Sequence, residues 1–236
     1  MRVRARHHEV RPPRSHTDGS NRRSEIQLRL IRSYESTVTR AYCWARFHIL
    51  HQRFLDEIGQ YLPHEGRCLD LGCGFGLFSL YYASILPRLH LHGIDKNARR
   101  IATARLSAAR LGISNVTYSV ENVVDGRGGD LYDAAYMLDI IHHIPPSTVR
   151  PLVERLHSML PVGGLLLVKD VDVRPTYKRL FTLCLDKLLD PGSPVRYWSA
   201  DEFQGLLQQT GFRVHRHSMV DALPYPHILY VGQKLP

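Results

Sequence analysis

The chain has 236 residues, 44% hydrophobic and 22% charged, a composition typical of one folded domain and unlike that of a disordered or fibrous protein. Its net charge is +9, but residues 1–24 carry +5 of it, so the remainder is mildly basic and no nucleic-acid partner is expected. The uncharged stretch 71–87 contains three glycines and does not fit a membrane span, and no apolar segment follows the basic start as in a signal peptide.

The cysteines and the first 62 residues give the earliest structural predictions. Four cysteines form no CxxC pair and no metal-ligand spacing, so we expect a reduced, cytoplasmic protein without a metal site. Residues 1–24 are predicted to be a disordered basic tail, because seven arginines and Pro12-Pro13 leave no amphipathic pattern. Residues 25–62 are predicted to form an N-terminal helical cap, because apolar residues recur there at helical spacing.

From residue 63 to residue 236 strands alternate with helices, which predicts one further domain. Strands are expected at 67–71, 90–95, 116–120, 132–138, 165–168, 213–220 and 227–233. Helices are expected at 75–86, 98–111, 146–160 and 199–211, and 173–198 are expected to form a lid insertion. This order predicts an α/β fold with an open, mostly parallel seven-stranded sheet, an antiparallel last strand and helices on both faces.

Residues 70–76, DLGCGFG, place three glycines directly behind Asp70 at the end of the first predicted strand. Glycine weakens regular structure, so this spacing predicts a ligand that approaches the backbone too closely for a Cβ atom. A dinucleotide site requires G-x-G-x-x-G, but position 77, where that pattern has glycine or alanine, is leucine.

The pattern D-x-G-x-G-x-G resembles motif I of the class I S-adenosylmethionine-dependent methyltransferases, which have a Rossmann-like sheet. The resemblance continues through residues 63–233 in HGIDKN, in Glu121-Asn122, in YDAAYMLDIIHHIPP, in MLPVGGLLLVKD and in TGFRV. It implies a small-molecule methyltransferase with S-adenosylmethionine as cofactor and S-adenosylhomocysteine as product. It also implies that Asp70 interacts with the amino-acid end of the cofactor and that Asp95 accepts hydrogen bonds from both ribose hydroxyls. Asp139 is implied to lie beneath the cofactor. The implied cofactor-binding residues are Asp70, Gly72, Cys73, Gly74, Gly76, Asp95, Lys96, Glu121, Asn122 and Asp139.

Two histidines after the fourth predicted strand are the candidate catalytic residues. We predict His143, with His142 second, as the general base, because histidine exchanges protons near neutral pH. Asp170 and Asp172 follow the fifth strand, and we expect them to be surface acids or a helix cap rather than metal ligands.

The acceptor is predicted from the segments expected to cover the cofactor. The helix within 41–62 and the insertion 173–198 are apolar and rimmed by cations, which favours a small hydrophobic acceptor, lipid-like or phenolic, methylated on oxygen. The same segments are compatible with a peripheral membrane contact. Two alternatives stay open: an RNA methyltransferase with a basic N-terminal arm, and a subunit that binds the cofactor without turnover.

Overall fold

The N-terminal part of the protein is a cap of three helices. The computed structural model describes residues 16–122, 131–171, 197–219 and 227–236. In the cap α1 spans His16–Ser33, α2 spans Thr37–Ile49 and α3 spans Gln52–Gly59. The predicted tail therefore extends too far: residues 16–24 are helical, while residues 1–15 lie outside the described ranges. Leu30 is buried against the core, and lengthening a helix that is already anchored by packing costs little.

Seven strands form one sheet in the order β3-β2-β1-β4-β5-β7-β6. The strands are β1 Glu65–Leu71, β2 Arg88–Asp95, β3 Val116–Val120, β4 Ala134–Leu138, β5 Leu165–Val171, β6 Phe212–Ser218 and β7 His227–Lys234. The first five are parallel, and β7 runs antiparallel to both of its neighbours. The prediction of a mostly parallel sheet with an antiparallel last strand is confirmed. The strand order changes direction between β1 and β4, so the crevice beyond their carboxyl ends is the expected ligand site.

Helices cover both faces of the sheet, as predicted. These helices are α4 Leu77–Ile85, α5 Ala98–Leu111, α6 Pro146–Met159 and α7 Ala200–Gln209. The expected caps are present, since Asn97 accepts hydrogen bonds at the start of α5 and Ser199 forms a capping box at the start of α7.

Each face of the sheet has its own hydrophobic core. The cap, α4 and α5 share one core, and α6 and α7 share the other. Side chains alternate between the two, so on β5 Leu167 belongs to the first core while Leu166 and Val168 belong to the second. Consecutive residues at the end of β5 therefore reach opposite faces of the sheet, which separates the two polar clusters described below.

Candidate active site

The glycine loop after β1 is held in place by β2 and by close packing. Gly72, Gly74 and Gly76 all have positive φ, and the amides of Gly72 and Cys73 donate to the carbonyl of Ile94 at 2.8 and 3.0 Å. A Cβ on Gly72 would overlap Ile140, and one on Gly76 would lie 2.5 Å from the Tyr118 hydroxyl.

Gly74 differs from the other two glycines, because a Cβ there would meet no described atom within 4 Å. The sequence interpretation, that a ligand excludes Cβ atoms from all three positions, is therefore wrong for Gly72 and Gly76. At those two positions the protein's own packing excludes a side chain. At Gly74 the loop presents bare backbone to open space, which is the arrangement a closely approaching ligand requires.

Asp70 is a buried carboxylate at the end of β1. Its Oδ2 has no hydrogen-bond partner within the described part of the chain. Burial raises the pKa of Asp70 from 3.8 to about 7, and the nearby Tyr136 and Ser79 side chains only partly oppose this rise. An acceptor oxygen left without a donor beside an open loop fits a ligand that carries a cationic or N–H group.

Asp95 ends β2 with both carboxylate oxygens fixed. Oδ2 accepts from the Gly74 amide at 3.0 Å, and Oδ1 accepts from the Asn97 amide at 2.8 Å. Each oxygen can accept a second hydrogen bond, so the oriented carboxylate fits two neighbouring hydroxyls. The amide of Glu121 donates to the Asp95 carbonyl at 3.1 Å, which places Glu121 and Asn122 on the same edge.

Asp139 lies between two cations beyond the end of β4. Its Oδ2 accepts from Arg46 of α2 at 2.8 Å, and its Oδ1 pairs with Lys169 of β5. Both cations lower the pKa of Asp139 below its ordinary value, against the effect of burial. The backbone of Asp139 has a φ of 57°, an unusual conformation for a residue other than glycine. The adjacent Ile140 packs against Gly72, so this cluster adjoins the glycine loop.

His142 forms a buried pair with Asp170 on the other face of the sheet. Ile141–His143 is a single 3₁₀ turn after β4, and His142 Nδ1 lies 2.5 Å from Asp170 Oδ1. The His142 amide also donates to Asp170 Oδ2 at 3.1 Å. The expectation that Asp170 is a surface acid or a helix cap is therefore wrong. His143 is half-buried, with its ring centroid 4.1 Å from that of His142.

Sequence reasoning missed three side chains near this edge and misread a fourth. The missed ones are Arg46, Lys169 and His227, and the misread one is Asp170. Lys169 and Asp170 directly follow the apolar run 165–168, and this pattern could have indicated a functional position. Charged residues at the end of a buried strand are rare unless they are paired or functional. Arg46 and His227 gave no such signal, since they reach the site only through tertiary contacts.

Comparison with known proteins identifies the family. A model of a methyltransferase-domain family matches residues 35–217. The chain belongs to this family. Its members are class I S-adenosylmethionine-dependent methyltransferases, so the cofactor of this methyltransferase is S-adenosylmethionine.

Similar proteins of known name include methyltransferases of several kinds. A ubiquinone biosynthesis O-methyltransferase of Xylella fastidiosa is 30% identical over 128 residues, which cover 53% of this chain and 50% of that one. Ribosomal RNA small subunit methyltransferase G of Deinococcus radiodurans is 38% identical over 76 residues, 30% of each chain. The methyltransferase spans about half the length of the first of these relatives and less of the second.

Solved structures share the fold at low sequence identity. An O-methyltransferase family protein of Burkholderia thailandensis has a TM-score of 0.68 at 17% identity, covering 92% of this chain and 70% of that one. Magnesium protoporphyrin IX methyltransferase of Synechocystis, solved with S-adenosylhomocysteine, has a TM-score of 0.62 at 18% identity, covering 92% and 100%.

Other predicted features of the methyltransferase are only partly within the described ranges. Asp172, most of the insertion and the loop before β7 lie outside them. No described helix is long and apolar enough to cross a membrane. Residues 16–122, 131–171, 197–219 and 227–236 contain no group of three or more histidine, cysteine or acidic side chains arranged for a metal ion.

The glycine loop gives a first testable prediction, in which two alanine substitutions act differently. Gly76→Ala combines positive φ with a clash against Tyr118 and Ala104, so we expect the free energy of unfolding to fall by ~2–5 kcal/mol. Gly74→Ala carries the backbone strain without the clash, so we expect a loss of ~1–2 kcal/mol together with weaker binding of S-adenosylhomocysteine. Urea denaturation and calorimetric titration measure the two effects. Equal losses in the free energy of unfolding of the two variants would contradict the inference that Gly74, unlike Gly76, faces the ligand.

Proposed function

We propose that the protein transfers a methyl group from S-adenosylmethionine to an oxygen of a small, largely apolar acceptor of phenolic or lipid-like character. The observation that carries this proposal is the buried His142–Asp170 pair beside the end of β4. Oxygen acceptors such as phenols must lose a proton on methylation, and an oriented imidazole can take it. Some of the relatives are named ubiquinone biosynthesis O-methyltransferase, and this name indicates the same chemistry.

The residues around the glycine loop fit the cofactor. Asp70 Oδ2, which has no hydrogen-bond partner among the described residues, suits its ammonium group. The bare backbone at Gly74 allows close approach, and the oriented carboxylate of Asp95 suits its ribose hydroxyls. Glu121 and Asn122 lie further along the same edge, and we assign the adenine to their side of the loop. When bound, S-adenosylmethionine supplies a methyl group already activated as a sulfonium. The tasks left to the protein are to orient the acceptor and to remove its proton.

We assign the proton transfer to His142, with His143 as the alternative. Asp170 accepts a hydrogen bond from Nδ1, so that nitrogen holds the ring proton and Nε2 keeps a lone pair. Methyl transfer would break the bond from the methyl group to sulfur and leave S-adenosylhomocysteine. The proton lost by the acceptor oxygen would pass to Nε2, and the carboxylate of Asp170 would stabilise the resulting imidazolium. Asp170 is therefore a positioning residue, held by its further hydrogen bond from the Val171 amide at 2.7 Å.

The cap supplies apolar surface next to the loop. Tyr42 and Phe47 of α2 pack edge-on against Phe75 and Phe78, at centroid distances of 5.5 and 6.1 Å. Helix α2 contains no acidic residue, and Trp44 is 54% exposed on it. This surface supports an acceptor with an apolar or aromatic body, and a lipid-like acceptor would bring the protein to a membrane surface.

The proposal is tested by following a labelled methyl group. The protein is incubated with methyl-labelled S-adenosylmethionine and, separately, with a panel of catechols and phenols, with a lipid extract and with total RNA. Label on a phenol or lipid oxygen, identified by mass spectrometry, supports the proposal. Label in RNA would overturn it in favour of the RNA alternative. Binding of S-adenosylhomocysteine without any labelled product would favour a non-catalytic subunit.

A further inference from the structure

Tyr34, in the link between α1 and α2, is a buried residue whose hydroxyl reaches the glycine loop. The residue is 0% exposed, and its hydroxyl donates to the carbonyl of Phe75 at 3.0 Å. Burial raises the pKa of Tyr34 well above its ordinary value, and Cys43 of α2 adds to the rise, so the hydroxyl keeps its proton and remains a donor. The cap is therefore joined to the backbone of the glycine loop by a buried hydrogen bond.

The hydrogen bond from Tyr34 fixes the orientation of one peptide group in the loop. That group joins Phe75 to Gly76. Its N–H donates to the carbonyl of Cys73 at 2.9 Å, and its C=O accepts from Tyr34. One peptide plane is thus held at both ends, from within the loop and from the cap. Because a peptide group is rigid, turning this plane would change φ of Gly76, which is 75° in the structure.

The link that carries Tyr34 is itself fixed by two arginines. Arg40 of α2 donates to the carbonyl of Tyr34 at 2.6 Å, and Arg110 of α5 donates to the carbonyl of Ser33 at 2.8 Å. The hydroxyl therefore approaches the loop from a backbone that is anchored on both sides. A contact anchored in this way can restrain the loop, because it does not move with it.

The peptide held by Tyr34 adjoins the part of the loop that faces the ligand. Gly74 directly precedes Phe75, its amide donates to Asp95 Oδ2 at 3.0 Å, and it presents bare backbone to open space. A rotation about the backbone bonds of Phe75 would change how the chain continues from Gly74. The shape of the bare backbone surface therefore depends on the peptide that follows it.

We propose that Tyr34 is a positioning residue for S-adenosylmethionine, whose hydroxyl keeps the Phe75–Gly76 peptide in the orientation that the cofactor binds. This inference concerns the cofactor and does not depend on which acceptor is methylated. Without the hydroxyl, this peptide is turned for part of the time, and only the remaining fraction of the protein binds the cofactor. The apparent Kd then rises by the inverse of that fraction.

Two matched tyrosine substitutions test the inference. Tyr34→Phe removes the hydroxyl and keeps the ring, and we expect the Kd for S-adenosylhomocysteine, measured by calorimetric titration, to rise ~5- to 20-fold. Tyr82→Phe is the control, because the buried Tyr82 hydroxyl of α4 donates to the carbonyl of Leu55 in α3, also at 3.0 Å. Both variants lose a hydrogen bond to or from the cap and should show similar decreases in the urea midpoint. The affinity for S-adenosylhomocysteine should fall in Tyr34→Phe and stay within ~2-fold in Tyr82→Phe.

Hydrogen exchange shows whether the effect lies in the peptide that Tyr34 holds. In Tyr34→Phe we expect the Gly76 amide to exchange ~10-fold faster, because its peptide group is released at the carbonyl end. The amides of Gly72 and Cys73, which donate to the carbonyl of Ile94, should exchange at the parent rate. A role of Tyr34 in the stability of the cap alone would leave all three loop amides alike.

The parent protein provides the test if Tyr34→Phe folds poorly. Coupling between two sites is reciprocal, so saturation with S-adenosylhomocysteine should slow exchange of the amides in the α1–α2 link, residues 33–36, more than in α3. Equal affinity of the two variants for S-adenosylhomocysteine, an unchanged Gly76 amide, or a link whose exchange ignores the ligand would each overturn the inference. None of these measurements uses an acceptor, so a failure of the proposed O-methylation would leave them unaffected.

Discussion

Replacing His142 with glutamine is expected to lower kcat by ~10²–10⁴-fold while leaving the affinity for S-adenosylhomocysteine unchanged. Glutamine can still hydrogen-bond to Asp170, so the turn at Ile141–His143 keeps its anchor, but it cannot accept the acceptor's proton. Activity is measured with the acceptor identified by methyl labelling, at saturating S-adenosylmethionine. The acidic limb of the kcat–pH profile should disappear in this variant, because the group that titrates is gone.

His143→Gln is the matched control for His142→Gln, because the two rings are neighbours but only His142 is held by Asp170. We expect a much smaller change in kcat and an unaltered pH profile. Asp170→Asn should lower kcat in the same direction as His142→Gln, since it removes the group that fixes the tautomer. If His143→Gln instead abolished the acidic limb while His142→Gln left it intact, the base would be His143.

Replacing Asp70 with asparagine is expected to stabilise the cofactor-free protein and to weaken its cofactor binding. Burial raises the pKa of Asp70 to about 7, whereas an unfolded chain releases this proton near pH 3.8. Between these values the folded state holds more protons, so the free energy of unfolding falls as the pH rises and levels off above about 7. At pH 8 the free energy of unfolding is therefore ~4 kcal/mol lower than at low pH, because each unit of pKa difference contributes ~1.4 kcal/mol.

Asp70→Asn should recover most of that loss at pH 8 and show no difference from the parent protein at pH 4. Its affinity for S-adenosylhomocysteine should fall by ~10- to 100-fold, because an amide replaces the carboxylate proposed for the ammonium group. Urea denaturation across this pH range and calorimetric titration measure the two opposite effects. Glu25→Gln, at an exposed acid of α1, is the control for a change in net charge alone. Identical pH slopes in the parent and in Asp70→Asn would show that folding leaves the pKa of Asp70 unchanged and would contradict this prediction.

The sheet and its helices followed from local sequence signals. Alternation of short apolar runs with amphipathic segments, closed by caps such as Asn97 and Ser199, was enough to predict seven strands and their helices. The position of β7 between β5 and β6 was not predicted, since the choice of a strand's neighbours is a property of the whole sheet and not of a local signal.

The sequence could predict the parts of the candidate site that lie at the ends of single strands. It could not predict the parts that form by contact between distant segments. Asp70 and Asp95 end strands that meet at one edge of a parallel sheet, so their proximity could be predicted from the strand order. The pairing of Asp139 with Arg46 links residues 93 positions apart in sequence. Helical periodicity predicts that Arg46 lies on a helix but contains no information about which strand that helix approaches.

The position of β7 has a consequence for the order in which the protein folds during synthesis. β5 pairs with β7, which is synthesised after the other six strands, so one edge of β5 stays open until residues 227–234 have left the ribosome. His227, whose pKa is lowered by burial and by the charge of Lys169, arrives with that strand. The half of the sheet that carries the glycine loop, built from β1 to β4, can therefore form first, and the other half is completed only when β7 is present. We expect a chain interrupted before residue 227 to retain an ordered glycine loop while exposing β5, which makes that strand the segment most prone to aggregation.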